Sequence, residues 1–155
     1  MRRLTPLIAV ALLTGCTRGD TLTAEGLAAA KARWADQGLT SYRMEVEITG
    51  DRVEEGHFRV SVEDGAVTEV SRNDKPVVSR DAFYTIDGMF SMLGDELRMA
   101  QQAQRYWQAA EGARVYQRAY FDPDRGYCRR YLRAVTGTQH NIVIEVHQLT
   151  PGGGT

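Results

Sequence analysis

Hydrophobic positions along the chain switch between helical and strand periodicity. Leu27 and Trp34 fall on one face at helical spacing, in a helix that we expect to begin at Thr23 and to end near Gly38. Residues 41–48 then alternate strictly between apolar and polar side chains. That alternation is typical of a strand with one face on the core and one face in water.

Two further strand patterns complete the first half of the chain. They lie at residues 57–63 and 66–72, on either side of Asp64-Gly65. An Asp-Gly pair between alternating segments is a strong signal for a tight hairpin turn. The first half is therefore predicted to be one helix followed by three antiparallel strands.

The second half repeats this order without repeating the sequence. An apolar stripe predicts a helix that Thr85 caps and that runs to about Ala110, with an interruption at Gly94. Three more strand patterns follow, at 114–121, 127–135 and 141–149. The predicted fold class is α+β: two helix-plus-three-strand halves form one curved antiparallel sheet of about six strands, with two helices packed on one face.

The first fifteen residues have a different character from the rest of the chain. Arg2 and Arg3 precede an apolar run that is much shorter than the ~20 residues of a membrane-spanning helix. A charged start, a short apolar segment and small residues at its end are typical of a secretory signal peptide. The end, Leu13-Thr14-Gly15-Cys16, resembles the lipobox of bacterial lipoproteins, in which the cysteine carries lipid and the signal is cut before it.

This resemblance implies an organisation and a location. Residues 1–15 would be the lipoprotein signal peptide, 16–22 the lipidated cysteine and a tether, 23–150 a single domain, and 151–155 a flexible tail. Several acyl chains on Cys16 would make attachment to a membrane stable, because a single chain gives only reversible binding. The expected location is the bacterial cell envelope, facing the periplasm, and Thr17 favours the outer membrane because an aspartate there tends to retain lipoproteins at the inner one.

Charge and cysteine content narrow the range of functions. Of 19 lysine and arginine residues, removal of Arg2 and Arg3 leaves 17 against 20 acidic residues, so the overall charge gives no case for a nucleic-acid partner. If Cys16 is acylated, Cys128 has no second cysteine with which to form a disulfide. We expect Cys128 to be a small buried apolar residue.

Several short motifs are spread over most of the predicted domain: Trp34 in the first helix, Gly38 to Arg43, Val62 to Val67, Thr85 to Phe90, and Asp122 to Gly126 with Tyr127. Together they resemble a family of uncharacterised bacterial lipoproteins that share a domain of unknown function (6174). The chain departs from the family in lacking a cysteine pair in 50–56, and in having Cys128 where a proline usually follows Tyr127. The resemblance implies an envelope location and a shared fold, but it transfers no catalytic residues.

The candidate binding face lies on the hairpin formed by the predicted strands at 114–121 and 127–135, which we call the late hairpin. Alternation predicts that arginine and tyrosine side chains of its two strands share the open face of the sheet: Arg114, Tyr116, Arg118 and Tyr120 on the first, and Tyr127, Arg129, Tyr131 and Arg133 on the second. Arginine forks bind carboxylates or phosphates, and aromatic faces suit sugars. Alternatively, these residues are cross-strand pairs that only stabilise an exposed sheet.

Enzyme chemistry has weaker support. His57, His140 and His147 lack the spacing of a helical zinc site, and no cofactor-binding motif is present. A Cys128–His147 nucleophile pair would need Cys128 on the open face, whereas alternation places it in the core. We therefore expect a non-catalytic, lipid-anchored envelope protein without metal or cofactor that binds an envelope protein or polymer. The alternatives are an inhibitor or assembly factor for an envelope enzyme, or an anchored enzyme that depends on Cys128.

Overall fold

The computed structural model describes residues 19–51, 55–78 and 82–152. Within them the chain is α+β, with one open antiparallel sheet of eight strands and three α-helices. The predicted signal peptide, Cys16 and the last three residues of the predicted tail lie outside this part of the chain. No helix in these three segments has both the length and the apolar character needed to cross a membrane.

The eight strands include the six that were predicted. In chain order they are β1 (Asp20–Thr21), β2 (Tyr42–Gly50), β3 (Gly56–Glu63), β4 (Ala66–Arg72), β5 (Lys75–Pro76), β6 (Val115–Phe121), β7 (Cys128–Val135) and β8 (Ile142–Pro151). Their order across the sheet is β1-β6-β7-β8-β2-β3-β4-β5. Each half of the chain thus forms its own meander, and β8 joins the two halves by pairing with β2.

The two strands absent from the sequence prediction are only two residues long and lie at the two edges of the sheet. β1 pairs with Arg118 and Ala119 of β6, in a stretch predicted to be tether. β5 pairs with Ser71 and Arg72 of β4, in a stretch predicted to be loop. Two residues are too few for a periodic pattern, so the six-strand prediction missed both.

The first helix, α1 (Ala24–Asp36), begins and ends as the sequence predicts. The Thr23 hydroxyl oxygen accepts a hydrogen bond from the Gly26 amide at 3.0 Å, which satisfies one of the free donors at the helix start. Glu25 lies in the first turn, where the negative charge of its carboxylate interacts favourably with the helix dipole. Gly38 follows the helix with a φ of +59°, the left-handed conformation that commonly ends helices.

The second helical segment is divided differently from the prediction. Thr85 caps α2 (Ile86–Ala100) by accepting a hydrogen bond from the Gly88 amide at 2.9 Å, as expected. The chain then turns at Gln101 and Gln102 before α3 (Ala103–Trp107), and α2 passes through Gly94 unbroken. The predicted interruption at Gly94 is wrong, because a glycine lowers helix stability without ending the helix.

Both long helices cover the same face of the sheet. Trp34 of α1 and Leu93 of α2 lie in one buried cluster with the inward side chains of the strands. Trp34 packs edge-on against Tyr42 of β2, with ring centroids 5.5 Å apart. The other face of the sheet carries the alternate, more exposed residues of the same strands, so it is open to a ligand or partner.

Candidate functional site

The open face has a small pocket at its β6–β7 end. Arg118, Tyr120 and Arg130 line it, together with Leu132 and with Gly19 from the start of the described chain. Its volume is about 290 Å³. The residues are brought together by strand pairing, because Tyr120 lies opposite Arg130 and Arg118 lies opposite Leu132. We call it the edge pocket.

The edge pocket is rich in positive charge. Among the described residues, no carboxylate oxygen lies within 4.0 Å of the Arg118 guanidinium. Arg130 has one distant partner, Glu145, at 4.0 Å, and both of those side chains are nearly half exposed. The guanidinium of Arg129 lies over the Tyr120 ring, 5.9 Å from its centroid. The pocket therefore offers guanidinium donors beside an aromatic ring, a combination that suits an anionic group.

Three of the eight residues of the predicted binding face are buried instead. The pairing of β6 with β7 shifts register after Tyr120, where Arg129 is the extra residue of a β-bulge. An extra residue inverts the alternation that follows it, so Tyr131 and Arg133 point into the core and Leu132 points outwards. The prediction that Tyr131 and Arg133 share the open face is wrong for this reason.

The other residues of the predicted binding face also lie partly on the open face and partly elsewhere. Tyr127 is buried in the turn before β7, where its ring packs against Trp34 at 6.4 Å, so its predicted place on the open face is also wrong. Tyr116 is 46% exposed and lies on the open face with Arg118. Arg114 precedes β6, and its amide donates to the Thr136 hydroxyl at 2.8 Å.

Arg133 instead forms a buried ion pair with Glu96 of α2. Nη1 of Arg133 donates to the two carboxylate oxygens of Glu96, at 2.7 and 3.0 Å. The Tyr131 hydroxyl donates to the same carboxylate at 3.0 Å, and the Gln117 amide nitrogen donates to the Glu96 carbonyl at 2.8 Å. Burial, followed by the neighbouring Glu96 charge, raises the pKa of Tyr131. The hydroxyl therefore stays protonated and keeps donating to the carboxylate.

Further contacts fix the Arg133 side chain. Its guanidinium carbon lies 4.8 Å from the centroid of the Trp107 ring in α3, within range of a cation–π interaction. Its Nε donates to the carbonyl of His140 at 3.1 Å. These contacts tie α2 and α3 to the late hairpin, and they indicate a structural role for Arg133.

A larger groove lies further along the open face, on β8, β2, β3 and β4. It encloses about 680 Å³, and its lining combines arginines with glutamates and hydroxyl groups: Arg43, Glu45, Arg59, Ser61, Glu69, Ser71, Gln148 and Thr150, with Met44 and Val60. Glu45 is bonded to Arg59 at 3.3 Å. Arg43 and Glu69 have no described ion-pair partner. The groove is thus lined by two arginines and two glutamates, whereas the lining of the edge pocket has two arginines and no acidic residue.

Two of the three histidines lie on the open face, and the third lies at one end of the sheet. His147 contacts Glu47 at 3.0 Å, and its ring stacks on that of His57 with centroids 6.4 Å apart. His140 contacts Asp51 at one end of the sheet. In the described part of the chain, no group of three His, Cys, Asp or Glu side chains is arranged to hold a metal ion.

Cys128 lies on the core face, as alternation predicts. Only 2% of the residue is exposed, and its thiol donates to the Arg130 carbonyl at 3.3 Å. Burial raises the pKa of this thiol to about 12. Nucleophilic catalysis requires the thiolate, so these surroundings disfavour the Cys128–His147 pair.

The chain is similar to a known protein family. The model of the family of unknown function (DUF6174) matches residues 26–127. The chain belongs to this family. No curated protein matches it. The family assignment from the short motifs is therefore confirmed at the level of the domain.

The DUF6174 match bears on the position of the edge pocket. It runs from α1 to the turn before β7, so it includes Arg118 and Tyr120. Arg130 and Leu132 lie beyond it, on the strand that completes the pocket by pairing with β6. The family match thus includes the pocket residues on β6, whereas the pocket residues on β7 lie outside it.

Proposed function

We propose that this protein is a lipid-anchored bacterial envelope protein whose domain binds an anionic group without catalysing a reaction. The edge pocket is the proposed binding site. The main support for this proposal is that the Arg118 guanidinium is exposed beside Arg130 and has no described carboxylate within 4.0 Å. Such a side chain is available to a ligand without first breaking an ion pair.

The chemistry of the pocket defines the class of ligand. A guanidinium presents its N–H donors in a planar fork that fits the oxygens of a phosphate or carboxylate. A hydrogen bond to a charged group contributes about 1.5–3 kcal/mol, so two arginines acting together support measurable affinity. The Tyr120 ring supplies an adjacent aromatic face that suits a sugar, as in a glycan or a glycolipid.

The proposed location rests on the start of the sequence. Arg2 and Arg3, the short apolar run and Leu13-Thr14-Gly15-Cys16 together support export, cleavage before Cys16 and acylation of its thiol. Thr17 supports delivery to the outer membrane, with the domain in the periplasm. The candidate ligands are then the anionic components of the envelope.

Binding of defined envelope components tests this function. The full chain, purified from membranes, is titrated with peptidoglycan sacculi, with glycerol phosphate and with short-chain phosphatidylglycerol. We expect Arg118→Glu with Arg130→Glu to weaken binding of at least one probe tenfold or more. The matched control is Lys75→Glu with Arg105→Glu, because both are exposed basic residues that line neither the edge pocket nor the larger groove. Equal binding by the double variant and the control for every probe would contradict the proposal.

The second candidate is an inhibitor or assembly factor that binds another envelope protein. The larger groove supports it, since a mixture of arginines, glutamates and hydroxyl groups suits a polar protein surface. This reading predicts that substitutions at Arg43 and Glu69 impair function, whereas substitutions at Arg118 and Arg130 leave it unchanged.

A further inference from the structure

The edge pocket lies next to the point at which the folded domain meets its tether. Gly19 forms part of the pocket wall, and the adjoining β1 pairs directly with Arg118 and Ala119 of β6. Gly19 is three residues after Cys16 in sequence. Three residues of fully extended chain span at most about 11 Å. The pocket is therefore within about 11 Å of chain from the predicted site of acylation.

Charge is distributed unevenly along the open face. β6 and β7 carry three exposed arginines, Arg118, Arg129 and Arg130, and contain no acidic residue. β2, β3 and β4 together contain four glutamates and three arginines. β3 lies four strand spacings from β6, a distance of about 19 Å. The flanking strands add one acidic residue each, Asp20 of β1 and Glu145 of β8. The three arginines outnumber these carboxylates, so the positive end of the face is the end beside the tether.

We propose that the edge pocket binds the phosphate of an anionic phospholipid in the bilayer that holds the acylated Cys16. This inference rests on the proposed function and specifies its ligand. The β6–β7 end of the open face then lies against the lipid headgroups, and the larger groove points away from the membrane. The tether and the pocket would fix the orientation of the domain together.

Distances favour a lipid over a distant polymer. The headgroup layer of one leaflet is about 5–8 Å thick, and screening at physiological salt limits electrostatic attraction to about 8 Å. At most about 11 Å of chain separates the pocket from an acylated Cys16, less than the ~13–16 Å that the headgroup layer and the screening length span together, whereas β3 and β4 lie a further ~19–24 Å along the sheet. Anchoring also holds the pocket at a high effective concentration of headgroups, so weak intrinsic affinity is sufficient.

The test measures the orientation of the acylated full chain in nanodiscs of phosphatidylcholine with phosphatidylglycerol. A nitroxide is placed at Tyr116→Cys on β6, or at Glu69→Cys on β4, about 24 Å away across five strand spacings. Cys128 is buried and an acylated Cys16 cannot react, so only the introduced thiol is labelled. Collision with a nickel chelate on the lipid headgroups is then measured by power saturation. We expect a collision rate at residue 116 at least threefold higher than at residue 69.

Variants and a change of lipid composition separate the possible outcomes. Arg118→Glu with Arg130→Glu should abolish the difference between the two labels, and Lys75→Glu with Arg105→Glu should preserve it. A difference that survives charge reversal at Arg118 and Arg130 would mean that the tether alone sets the orientation, and would overturn the inference. A difference of the same size in nanodiscs of phosphatidylcholine alone would mean that an anionic lipid is not the ligand, and would also overturn it.

The same preparation distinguishes failure of this inference from failure of the proposed function. An intact mass that shows acylated Cys16, combined with equal collision rates at the two labels, refutes the lipid ligand and leaves the anchored binding module in place. A mass that shows unmodified Cys16 refutes the anchor itself.

Discussion

The carboxylate of Glu96 and the guanidinium of Arg133 form an ion pair that is almost completely removed from solvent. Their side chains are 1% and 6% exposed, and the shortest distance between them is 2.7 Å. Tyr131 and Gln117 supply further hydrogen bonds around the pair. A buried charge is tolerated only when it is paired and hydrogen-bonded in this way. The pair therefore fixes how α2 docks on the late hairpin.

Loss of one member of this pair should destabilise the domain strongly. Glu96→Gln leaves the Arg133 charge buried without its counter-ion, and we expect a decrease of about 3–5 kcal/mol in the free energy of unfolding. Asp95→Asn is the matched control, because Asp95 is adjacent on α2 but 57% exposed, and its pair with Arg98 should contribute about 0–1 kcal/mol. Urea denaturation measures both. Similar values for the two variants would show that the buried pair does not stabilise the fold.

Gly126 should tolerate substitution much less well than another glycine in a turn. It has a φ of +86°, and a Cβ atom there would lie 2.3 Å from the Ala30 carbonyl oxygen and 2.9 Å from the Trp34 amide nitrogen. Gly137 has a similar φ of +75° but open space around the Cβ position. Gly137→Ala should therefore cost only the left-handed backbone penalty, about 1–2 kcal/mol.

Gly126→Ala has the same left-handed backbone penalty and, in addition, a clash with α1. Overpacking of this kind typically costs about 1–3 kcal/mol, so we expect the free energy of unfolding to decrease by about 2–5 kcal/mol in total. Denaturation of the two variants side by side measures the difference. Equal losses would mean that α1 does not pack on the 122–126 turn as described.

Stability should fall at alkaline pH. Burial raises the pKa of Cys128 from 9.0 to about 12, and that of Tyr42 from 10.0 to about 12. Below pH 9 both groups are protonated in the folded and the unfolded chain, so their contribution is fully present. Above pH 9, and above pH 10 for Tyr42, the unfolded chain releases protons that the folded chain retains. The free energy of unfolding then decreases by about 1.4 kcal/mol per pH unit for each group, up to about pH 12.

Cys128→Ala separates the contribution of the thiol to this loss of stability from that of Tyr42. It should make the fall in unfolding free energy between pH 9 and pH 10 shallower, because only the cysteine has an ordinary pKa low enough to titrate there in the unfolded chain. Unfolding curves at several pH values measure the slope. An unchanged slope, or rapid alkylation of Cys128 by iodoacetamide in the folded protein at pH 7, would mean that the thiol is accessible.

The sequence predicted those parts of the fold that depend on long periodic patterns. The six long strands and the caps at Thr23 and Thr85 follow from alternation, from helical spacing and from side chains that accept hydrogen bonds at helix starts. The edge strands β1 and β5 could not be predicted, because each has only two residues and forms by pairing with a strand that is already in place.

The candidate site could be predicted only in part, because of one β-bulge. Tyr127, Arg129, Tyr131 and Arg133 alternate without a visible break, and nothing in that stretch indicates that Arg129 is an extra residue. A signal did exist on α2. Glu96 lies three residues after Leu93 in the apolar stripe, so it belongs to the buried face and requires a buried partner. Arg133 is that partner.

Membrane attachment through acylated Cys16 underlies both proposals, and the intact mass of the native protein measures it. The protein is purified from the membrane fraction without added reductant and is analysed by mass spectrometry. We expect a chain that lacks residues 1–15 and carries a diacylglyceryl group on Cys16, with no lipid in the Cys16→Ser variant. A chain with a free thiol at Cys16, or one that retains residues 1–15, would contradict it.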